Sequence, residues 1–277
     1  MNDIKARIKS VSGTMQITKA MELVAISKLR RAKENVERSR PFFRLLLGAI
    51  EQIRHADGVR DTVWRTPTPA LRTLYVVIAG DRGLAGGYNS NVFKYTASIN
   101  GGENALYLPI GKKAHDYYLY RGAGIFSNEF LWASDIGISD SYSMAKLITK
   151  GYLDGLYDKV VVVYTKFVSM MSQTVKHEQI LPLSELSVTA SRDADPIFEG
   201  DPEEILAKIV PQYVGGVVYS ALCESLASEF SARRTSMNAA NKNAQEMIDS
   251  LMLGYNRARQ AVITQEITEI VSGAEAL

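Results

Sequence analysis

Apolar residues recur every three or four positions at both ends of this 277-residue chain, and this repeat constrains the fold more than any other feature. The N-terminal repeat runs from Ile4 to Ile53, and the C-terminal repeat runs from Tyr219 to Ala261. Alternating steps of four and three make the heptad period, which is typical of helices that pair along a seam. The sequence therefore predicts two long helices that pair as an antiparallel, left-handed coiled coil.

The repeat also predicts where the helix pairing ends and which residues face the partner helix. Past Ala261 the apolar stripe moves to a different face, which indicates a change of neighbour, so we expect the C-terminal helix to project beyond the N-terminal one. The shifted stripe consists of Ile263, Ile267, Ile270, Ala274 and Leu277. The N-terminal seam consists of Ile4, Ile8, Val11, Met15, Thr18, Glu22, Ala25, Leu29, Ala32, Val36, Ser39, Phe43, Leu46, Ile50 and Ile53. The C-terminal seam consists of Tyr219, Cys223, Leu226, Phe230, Arg233, Met237, Ala240, Ala244, Met247, Leu251, Gly254, Ala258 and Ala261.

One segment of the N-terminal helix, Ile17 to Ala32 (ITKAMELVAISKLRRA), is apolar on nearly every side. A surface helix usually carries a single apolar stripe, so a second partner has to cover the remaining faces. The segment ends in a basic cluster that lies too close to the apolar run for a membrane span. This cluster consists of Lys28, Arg30, Arg31 and Lys33.

The basic character of the chain is concentrated at its N-terminal end. Residues 1–54 hold twelve Lys and Arg against five Asp and Glu, whereas residues 203–277 hold six against nine. Such an asymmetry calls for an acidic partner, either elsewhere in the fold or on another molecule.

The middle of the chain changes period and predicts a Rossmann-like open α/β domain over residues 70–190, between an N-terminal helix at 1–56 and a C-terminal helix at 203–277. An edge strand is expected to join by a hairpin, and Asp201 with Pro202 suits the start of the last helix. The predicted strands are LRTLYVVIAG, NALYLPIG and DKVVVVYTKF, the edge strand is MSQTVKHEQILPL, and the predicted helices between them are KKAHDYYLYRG and SYSMAKLITKGYL.

The glycine-rich loop from Ala79 to Asn89 is the best candidate for a phosphate site, but its spacing matches neither nucleotide-binding motif. We favour a structural turn in which Asp81 and Arg82 brace the loop. Gly111-Lys112-Lys113 likewise lacks the upstream glycine and the hydroxyl of a phosphate-binding loop.

Residues suited to catalysis or metal binding show no convincing pattern. The single cysteine, Cys223, excludes an internal disulfide and is expected to be a small buried hydrophobe. The three histidines, His55, His115 and His177, have no metal-ligand spacing. We therefore predict no catalytic, cofactor or metal site and a chain that is not an enzyme by itself. Two other classes stay open: a coiled-coil tether or nucleic-acid-binding protein, and a small enzyme built on the α/β domain.

Several long strings of residues closely resemble the gamma subunit of F-type ATP synthases. The resemblance implies a central rotor shaft inside a ring of three alpha and three beta subunits, with the α/β domain beside the epsilon subunit and the membrane c ring. It further implies one copy per complex, no nucleic acid, no cofactor on this chain, and Mg-ATP or ADP bound by the alpha and beta subunits. The matching strings are RIKSV, ITKAMELVAISKLRRA, DRGLAGGYN, ASEFSARRTSMNAANKNAQEMI and YNRARQAVITQEITEIVSGAEAL.

The same resemblance implies roles for individual residues. One set would contact an acidic lever of the beta subunits, a second would contact a loop of a catalytic subunit, and a third would touch epsilon and the c ring. The first set is Met21, Lys28, Arg30, Arg31 and Lys33; the second is Arg259, Gln260, Thr264 and Glu266; the third is Phe198 and Glu199. The chain departs from the family pattern at Gly13 (usually Asn), Ala85 (commonly Cys), Arg234 (usually Met) and, next to the third set, Gly200 (usually Pro).

The expected location is the cytoplasmic face of a bacterial plasma membrane, as a peripheral subunit. The first residues show no signal-peptide core and no transit peptide, although a mature mitochondrial chain would look similar. A regulatory cysteine pair of the chloroplast type is missing, so control by thiol oxidation is not expected.

Overall fold

The computed structural model describes residues 1–54, 64, 72–100, 105–183 and 202–275. The chain divides into two compact units. The paired-helix unit comprises Met1–Ile26 and Arg233–Leu277, and the sheet unit comprises Ser27–Ala232. The domain boundaries drawn from the sequence, at residues 56, 70, 190 and 203, stay a prediction.

Two long helices dominate the chain, as the heptad repeats predict. Helix α1 spans Asn2–Arg54 and helix α5 spans Pro202–Glu275. Each helix continues through an internal proline, Pro41 in α1 and Pro211 in α5. An 18-residue window of α5 is apolar enough to cross a membrane by length and composition alone, but half of that window is buried inside the structure.

The two helices of the paired-helix unit run antiparallel. The Lys5 ammonium lies 5.3 Å from the ring centre of Tyr255, near one end of the pair. Seventeen residues further along α1, the Glu22 carboxylate accepts a hydrogen bond from Asn238 Nδ2 at 3.3 Å. As the residue number increases along α1, the number of the contacting residue on α5 decreases, which confirms the predicted antiparallel coiled coil.

The predicted seam is correct along α1 wherever the burial of its residues is described, which leaves out Ser39, Phe43 and Ile53, and it shifts by one residue in part of α5. Ala25 of α1 and Met237 of α5 are buried at this seam. Further along α5, Ile248 and Val262 are half-buried whereas Met247 and Ala261 are exposed, so the sequence prediction was wrong at Met247 and Ala261. A helix with 3.6 residues per turn places both i+3 and i+4 near the same face, and the partner helix decides which of them is covered.

A polar layer interrupts this seam. Thr18 Oγ1 donates to Asn241 Oδ1, and Asn241 Nδ2 donates to Glu22 Oε2 at 2.9 Å. Polar groups at seam positions are stable only when they find partners, and here they bond to one another across the two helices. Such a layer fixes the register of a coiled coil, because a shifted pairing would leave these groups opposite apolar side chains.

In the sheet unit, the described residues form one five-stranded sheet of order β3-β2-β1-β4-β5. Strands β1 to β4 run parallel to one another, and β5 joins β4 antiparallel through a hairpin, as predicted. The strands are β1 (Thr73–Ile78), β2 (Ala105–Ile110), β3 (Gly124–Ile125), β4 (Lys159–Phe167) and β5 (Gln173–Leu181), and the connecting helices are α2 (Tyr88–Ile99), α3 (Lys112–Tyr120) and α4 (Ile138–Leu153). The Rossmann-like prediction is confirmed.

Helices cover both faces of the sheet, which explains why the central strands are apolar at every position. Leu74 and Val76 of β1 point into a core shared with α4 and α5. Tyr75 and Val77, which alternate with them, point into a second core shared with α2 and α3.

Helices α4 and α5 approach closely at Gly215. A Cβ atom built on Gly215 would lie 3.0 Å from Tyr142 Cδ1 and 3.3 Å from the Cβ of Ala145. Elsewhere on α5, a Cβ on Gly254 would meet no atom within 4 Å. One glycine is therefore required by packing and the other is not.

We predict that Gly215→Val lowers the free energy of unfolding by about 1–3 kcal/mol, because the added methyl groups push α4 and α5 apart. Gly254→Val is the matched control and should change stability by about 0.5 kcal/mol or less, since it adds a better helix former where space is open. Thermal unfolding followed by circular dichroism measures both. Equal stability of the two variants would contradict the close approach.

Candidate functional site

The apolar segment that begins at Ile17 is exposed on the faces that α5 does not cover. Ile17 and Leu23 are 64% and 63% exposed, and Val24 and Ile26 are exposed as well. Met21 is half-buried beside the seam. We call the exposed residues Ile17, Leu23, Val24 and Ile26 the apolar girdle. Large apolar side chains grouped in this way mark a candidate interaction surface.

The basic residues that follow belong to the sheet unit and differ in their surroundings. Arg30 and Arg31 are exposed, and Arg30 Nε lies 3.1 Å from the Glu34 carboxylate one turn further along α1. Lys28 is exposed with its ammonium 5.5 Å from the ring centre of Phe230. Lys33 is half-buried with its ammonium 4.9 Å from the ring centre of Phe167. The cluster thus presents its arginines to the exterior, while its lysines also contact the protein's own aromatic rings.

The far end of α5 is a second exposed surface, which we call the tip and define as residues 259–275. Its predicted contact residues Arg259, Gln260, Thr264 and Glu266 are all exposed. Thr264 Oγ1 donates to the backbone carbonyl of Gln260 at 2.9 Å, so one turn of helix links these two positions.

Apolar residues alternate with these polar ones along the tip. Ile263, Ile267 and Val271 are exposed, and Ile270 is 72% exposed. A helix end of this composition would not be stable in water on propensity alone, so its apolar stripe is suited to insertion into an apolar surface of another molecule.

The two predicted contacts at the other end of the protein, Phe198 and Glu199, lie outside the described residues, as does the proposed N-cap Asp201. Helix α5 begins at Pro202, one residue before the predicted boundary.

The glycine-rich loop after β1 is held by polar contacts, as predicted for Asp81. The buried Asp81 carboxylate accepts hydrogen bonds from the backbone N–H of Ala133 at 2.7 Å and of Ser134 at 3.0 Å. Asn89 Oδ1 accepts from the Gly80 N–H, and Asn89 Nδ2 donates to the Arg82 carbonyl, which closes the loop on itself. Asp81 and Asn89 thus serve to hold the loop in place.

Helix α5 fills the crevice in which sheets of this type bind nucleotides. In an open α/β sheet that crevice lies at the carboxyl ends of the strands where the strand order reverses, here between β1 and β4. Ser225 and Ser228 of α5 bond to the backbone of Thr165 in β4, and the Glu229 side chain lies against Gly80 after β1. The phosphate site that the loop suggests would therefore have to displace the protein's own helix.

The remaining candidate residues serve the fold. Cys223 is 3% exposed, as predicted, and burial raises the pKa of its thiol to about 11. His177 Nδ1 lies 2.8 Å from the Tyr95 hydroxyl, and His115 lies 3.6 Å from the Asp116 carboxylate. In the described ranges, no three His, Cys, Asp or Glu side chains lie close enough to hold a metal ion. His55 lies outside those ranges.

Comparisons with known proteins give a family for the whole chain. A family model described as ATP synthase matches residues 1–277. The ATP synthase gamma chain of Ruminococcus albus is 44% identical over 279 residues, which cover 99% of this chain and 97% of the relative. The sodium ion specific ATP synthase gamma chain of Acetobacterium woodii is 41% identical over 298 residues, which cover 100% of this chain and 98% of the relative.

Solved structures agree on the fold. A chain from the cryo-EM structure of the Euglena gracilis mitochondrial ATP synthase (OSCP, F1 and c-ring) matches with a TM-score of 0.70 at 19% identity, over 99% of this chain and 93% of that one. A chain from the central stalk and c-ring of the Tetrahymena thermophila mitochondrial enzyme matches with a TM-score of 0.62 at 24% identity, over 81% and 99%. On the full-length similarity to bacterial relatives, the chain belongs to the family of ATP synthase gamma chains.

Proposed function

We propose that this chain is the central rotor of an ATP synthase and transmits torque between a membrane c ring and a ring of three alpha and three beta subunits. A flow of protons through the membrane part would turn the sheet unit, and the paired helices would carry that rotation into the catalytic ring. Hydrolysis of ATP would drive the same rotation backwards. The exposed apolar girdle and tip carry the proposal, because they require covering surfaces that the described part of the chain does not provide.

The two surfaces differ in the partner that suits them. The girdle lies partway along a helix whose other side already contacts α5 through Thr18 and Glu22, which fits a helix surrounded by a sleeve of other subunits. The tip carries an apolar stripe on a single helix, which fits a socket at the end of that sleeve. The alpha and beta subunits together would supply both surfaces.

The polar contacts proposed at these surfaces are of a strength that suits rotation. Exposed ion pairs contribute about 0.2–1 kcal/mol each, so several of them steer an orientation without locking it. Arg30 and Arg31 lie in such an exposed setting, as do Arg259 and Glu266. We propose that Arg30 and Arg31 meet the acidic lever of a beta subunit, together with Met21 and Lys28. Arg259 and Glu266 would meet a loop of a catalytic subunit, together with Gln260 and Thr264.

The chemistry of ATP would take place on the other subunits. We propose that Mg-ATP and ADP bind to alpha and beta, and that one copy of this chain per complex only shifts their relative affinities as it turns. The sheet unit would contact epsilon and the c ring through Phe198 and Glu199, on the cytoplasmic face of a bacterial plasma membrane. No nucleic acid is needed for this role. Filling of the crevice between β1 and β4 by α5 supports a sheet without a nucleotide of its own.

Co-expression with the alpha and beta subunits of the same source tests this function. One copy of the chain should enter a stable particle that hydrolyses ATP, whereas the purified chain alone should show no turnover above buffer. Appreciable hydrolysis by the isolated chain, or a particle that forms without it and works equally well, would contradict the rotor function.

Within that particle, we predict that Arg259→Ala with Gln260→Ala lowers the rate of ATP hydrolysis about tenfold and leaves assembly intact. Two exposed polar contacts of about 0.7 kcal/mol each, lost together at the catalytic ring, account for an effect of that size. The matched control is Lys242→Ala with Asn243→Ala, an exposed cation and amide on the same helix in the paired-helix unit.

Steady-state hydrolysis and subunit stoichiometry, measured on the same preparations, give both quantities. If the tip variant hydrolyses ATP as fast as the control variant, the proposed contact at Arg259 and Gln260 is wrong.

A further inference from the structure

Strand β4 continues past the end of its neighbour β1, and this leaves part of its edge without a strand. The pairing of β1 with β4 ends at Val77 and Val163. On the other side, β5 pairs with β4 as far as Phe167. Thr165 therefore lies beyond the last β1 pair, and its backbone N–H and C=O would be left unpaired in a buried position unless another element bonded to them.

Two serines of α5 supply those bonds. Ser225 Oγ accepts a hydrogen bond from the Thr165 N–H at 3.1 Å, and Ser228 Oγ donates to the Thr165 carbonyl at 3.1 Å. One turn further along, Ser231 Oγ donates to the Met170 carbonyl at 3.0 Å, in the turn between β4 and β5. All three serine side chains are buried.

The spacing of the serines aligns them on the sheet. Residues three apart are neighbours on a helix surface, so positions 225, 228 and 231 follow one side of α5 over a rise of about 9 Å. We call Ser225, Ser228 and Ser231 the serine joint. Beside it, Glu229 packs so closely on Gly80 that a Cβ at that glycine would lie 2.9 Å from the carboxylate. The carboxyl ends of two neighbouring strands thus hold one segment of α5.

Hydrogen bonds restrict the rotation of this segment about its helix axis, which apolar contacts do much less. The N-terminal part of α5 packs on the sheet through side chains such as Val214 and Leu222, and apolar attraction depends on buried area rather than on direction. A helix held only in that way can rotate slightly about its axis at little cost. Hydrogen bonds weaken steeply as they bend, so three of them along one stripe oppose such rotation.

We propose that the serine joint is the torque joint of this rotor, the place where the sheet unit holds α5 against twisting. The inference rests on the rotor function proposed above and names positioning residues for it. Because Ser225, Ser228 and Ser231 act on the backbone of β4 and its hairpin, they set the torsional stiffness with which a turn of the sheet is passed to the helix. They contribute nothing to ATP chemistry, so their removal should soften transmission and leave the chemical step unchanged.

A single-molecule rotation experiment measures that stiffness directly. The complex of this chain with its alpha and beta subunits is fixed to a surface by the catalytic ring, and a bead is attached to the sheet unit through Tyr120→Cys. Tyr120 is 91% exposed on α3, and the buried Cys223 will not compete for the label because burial raises its pKa. The angular spread of the bead during the pauses between ATP-driven steps reports the torsional stiffness between ring and sheet.

We predict that Ser225→Ala with Ser228→Ala at least doubles the angular variance during the pauses, while the hydrolysis rate at low load stays within twofold of the parent. Ser231→Ala, which removes the bond to the Met170 carbonyl in the hairpin turn and leaves both bonds to Thr165 in place, should widen the variance by a smaller amount and serves if the double variant does not fold. Ser250→Ala, an exposed serine of the same helix, is the matched control and should leave the variance unchanged.

The outcomes separate the joint from the rotor function. If the parent complex hydrolyses ATP but the bead does not turn, the rotor function is wrong and the joint falls with it. If the bead turns and the variance of both joint variants equals that of Ser250→Ala, the rotor function stands and the serine joint is overturned. A joint variant that loses hydrolysis in proportion to its change in variance would also overturn it, because that result indicates general damage to the fold.

Discussion

Helix α5 is 74 residues long, and its apolar face has to be covered by other elements along that length. Most of the architecture follows from that requirement. Isolated helices gain little stability from propensity, so a long helix persists only where an apolar face packs against something. In the sheet unit α5 packs on the core of the α/β sheet, and in the paired-helix unit it packs on α1. Over the tip its apolar stripe is exposed in the described structure, which is why we assign the tip to a partner.

The contacts inside this chain differ in kind from those it offers to other molecules. Internal polar contacts are directional and shielded from solvent to different degrees: the layer of Thr18, Glu22 and Asn241 between the helices is half-buried, and the serine joint at the edge of β4 is buried. Outward-facing groups are exposed apolar side chains and exposed charges, whose individual attractions are weak. The proposed rotor function needs this combination, because the chain would have to keep its own register while it leaves one catalytic subunit and meets the next.

The sequence predicted the long elements well because their signals are periodic. The heptad repeat located α1, α5 and their antiparallel pairing, and continuous apolar runs located β1 and β4. The seam prediction failed at Met247, where Ile248 is covered instead, since a repeat alone does not choose between i+3 and i+4. Helix α2 was missed because Tyr88–Ile99 is rich in Asn, Ser, Thr and β-branched residues and follows a glycine-rich loop that resembles a turn.

Polar contacts within the fold were harder to predict. Thr18 and Glu22 at seam positions were a visible signal of a polar layer, but their partner Asn241 could be assigned only once the register was known. The serine joint depends on where β1 ends relative to β4, which is a tertiary fact with no local sequence signal. The outward contacts at Arg30, Arg31, Arg259 and Gln260 came from family resemblance, and the structure adds that these side chains are exposed.

A disulfide between α1 and α5 tests most directly whether the paired helices turn as one body. Thr18→Cys with Asn241→Cys should close under mild oxidation, because these side chains already touch across the seam. Thr18→Cys with Ser250→Cys, about 14 Å further along α5, should stay open. The account predicts that the closed disulfide leaves ATP hydrolysis by the assembled complex unchanged, since neither helix moves relative to the other during rotation. Failure of the first pair to close, or loss of hydrolysis on closure that is restored by reduction, would contradict it.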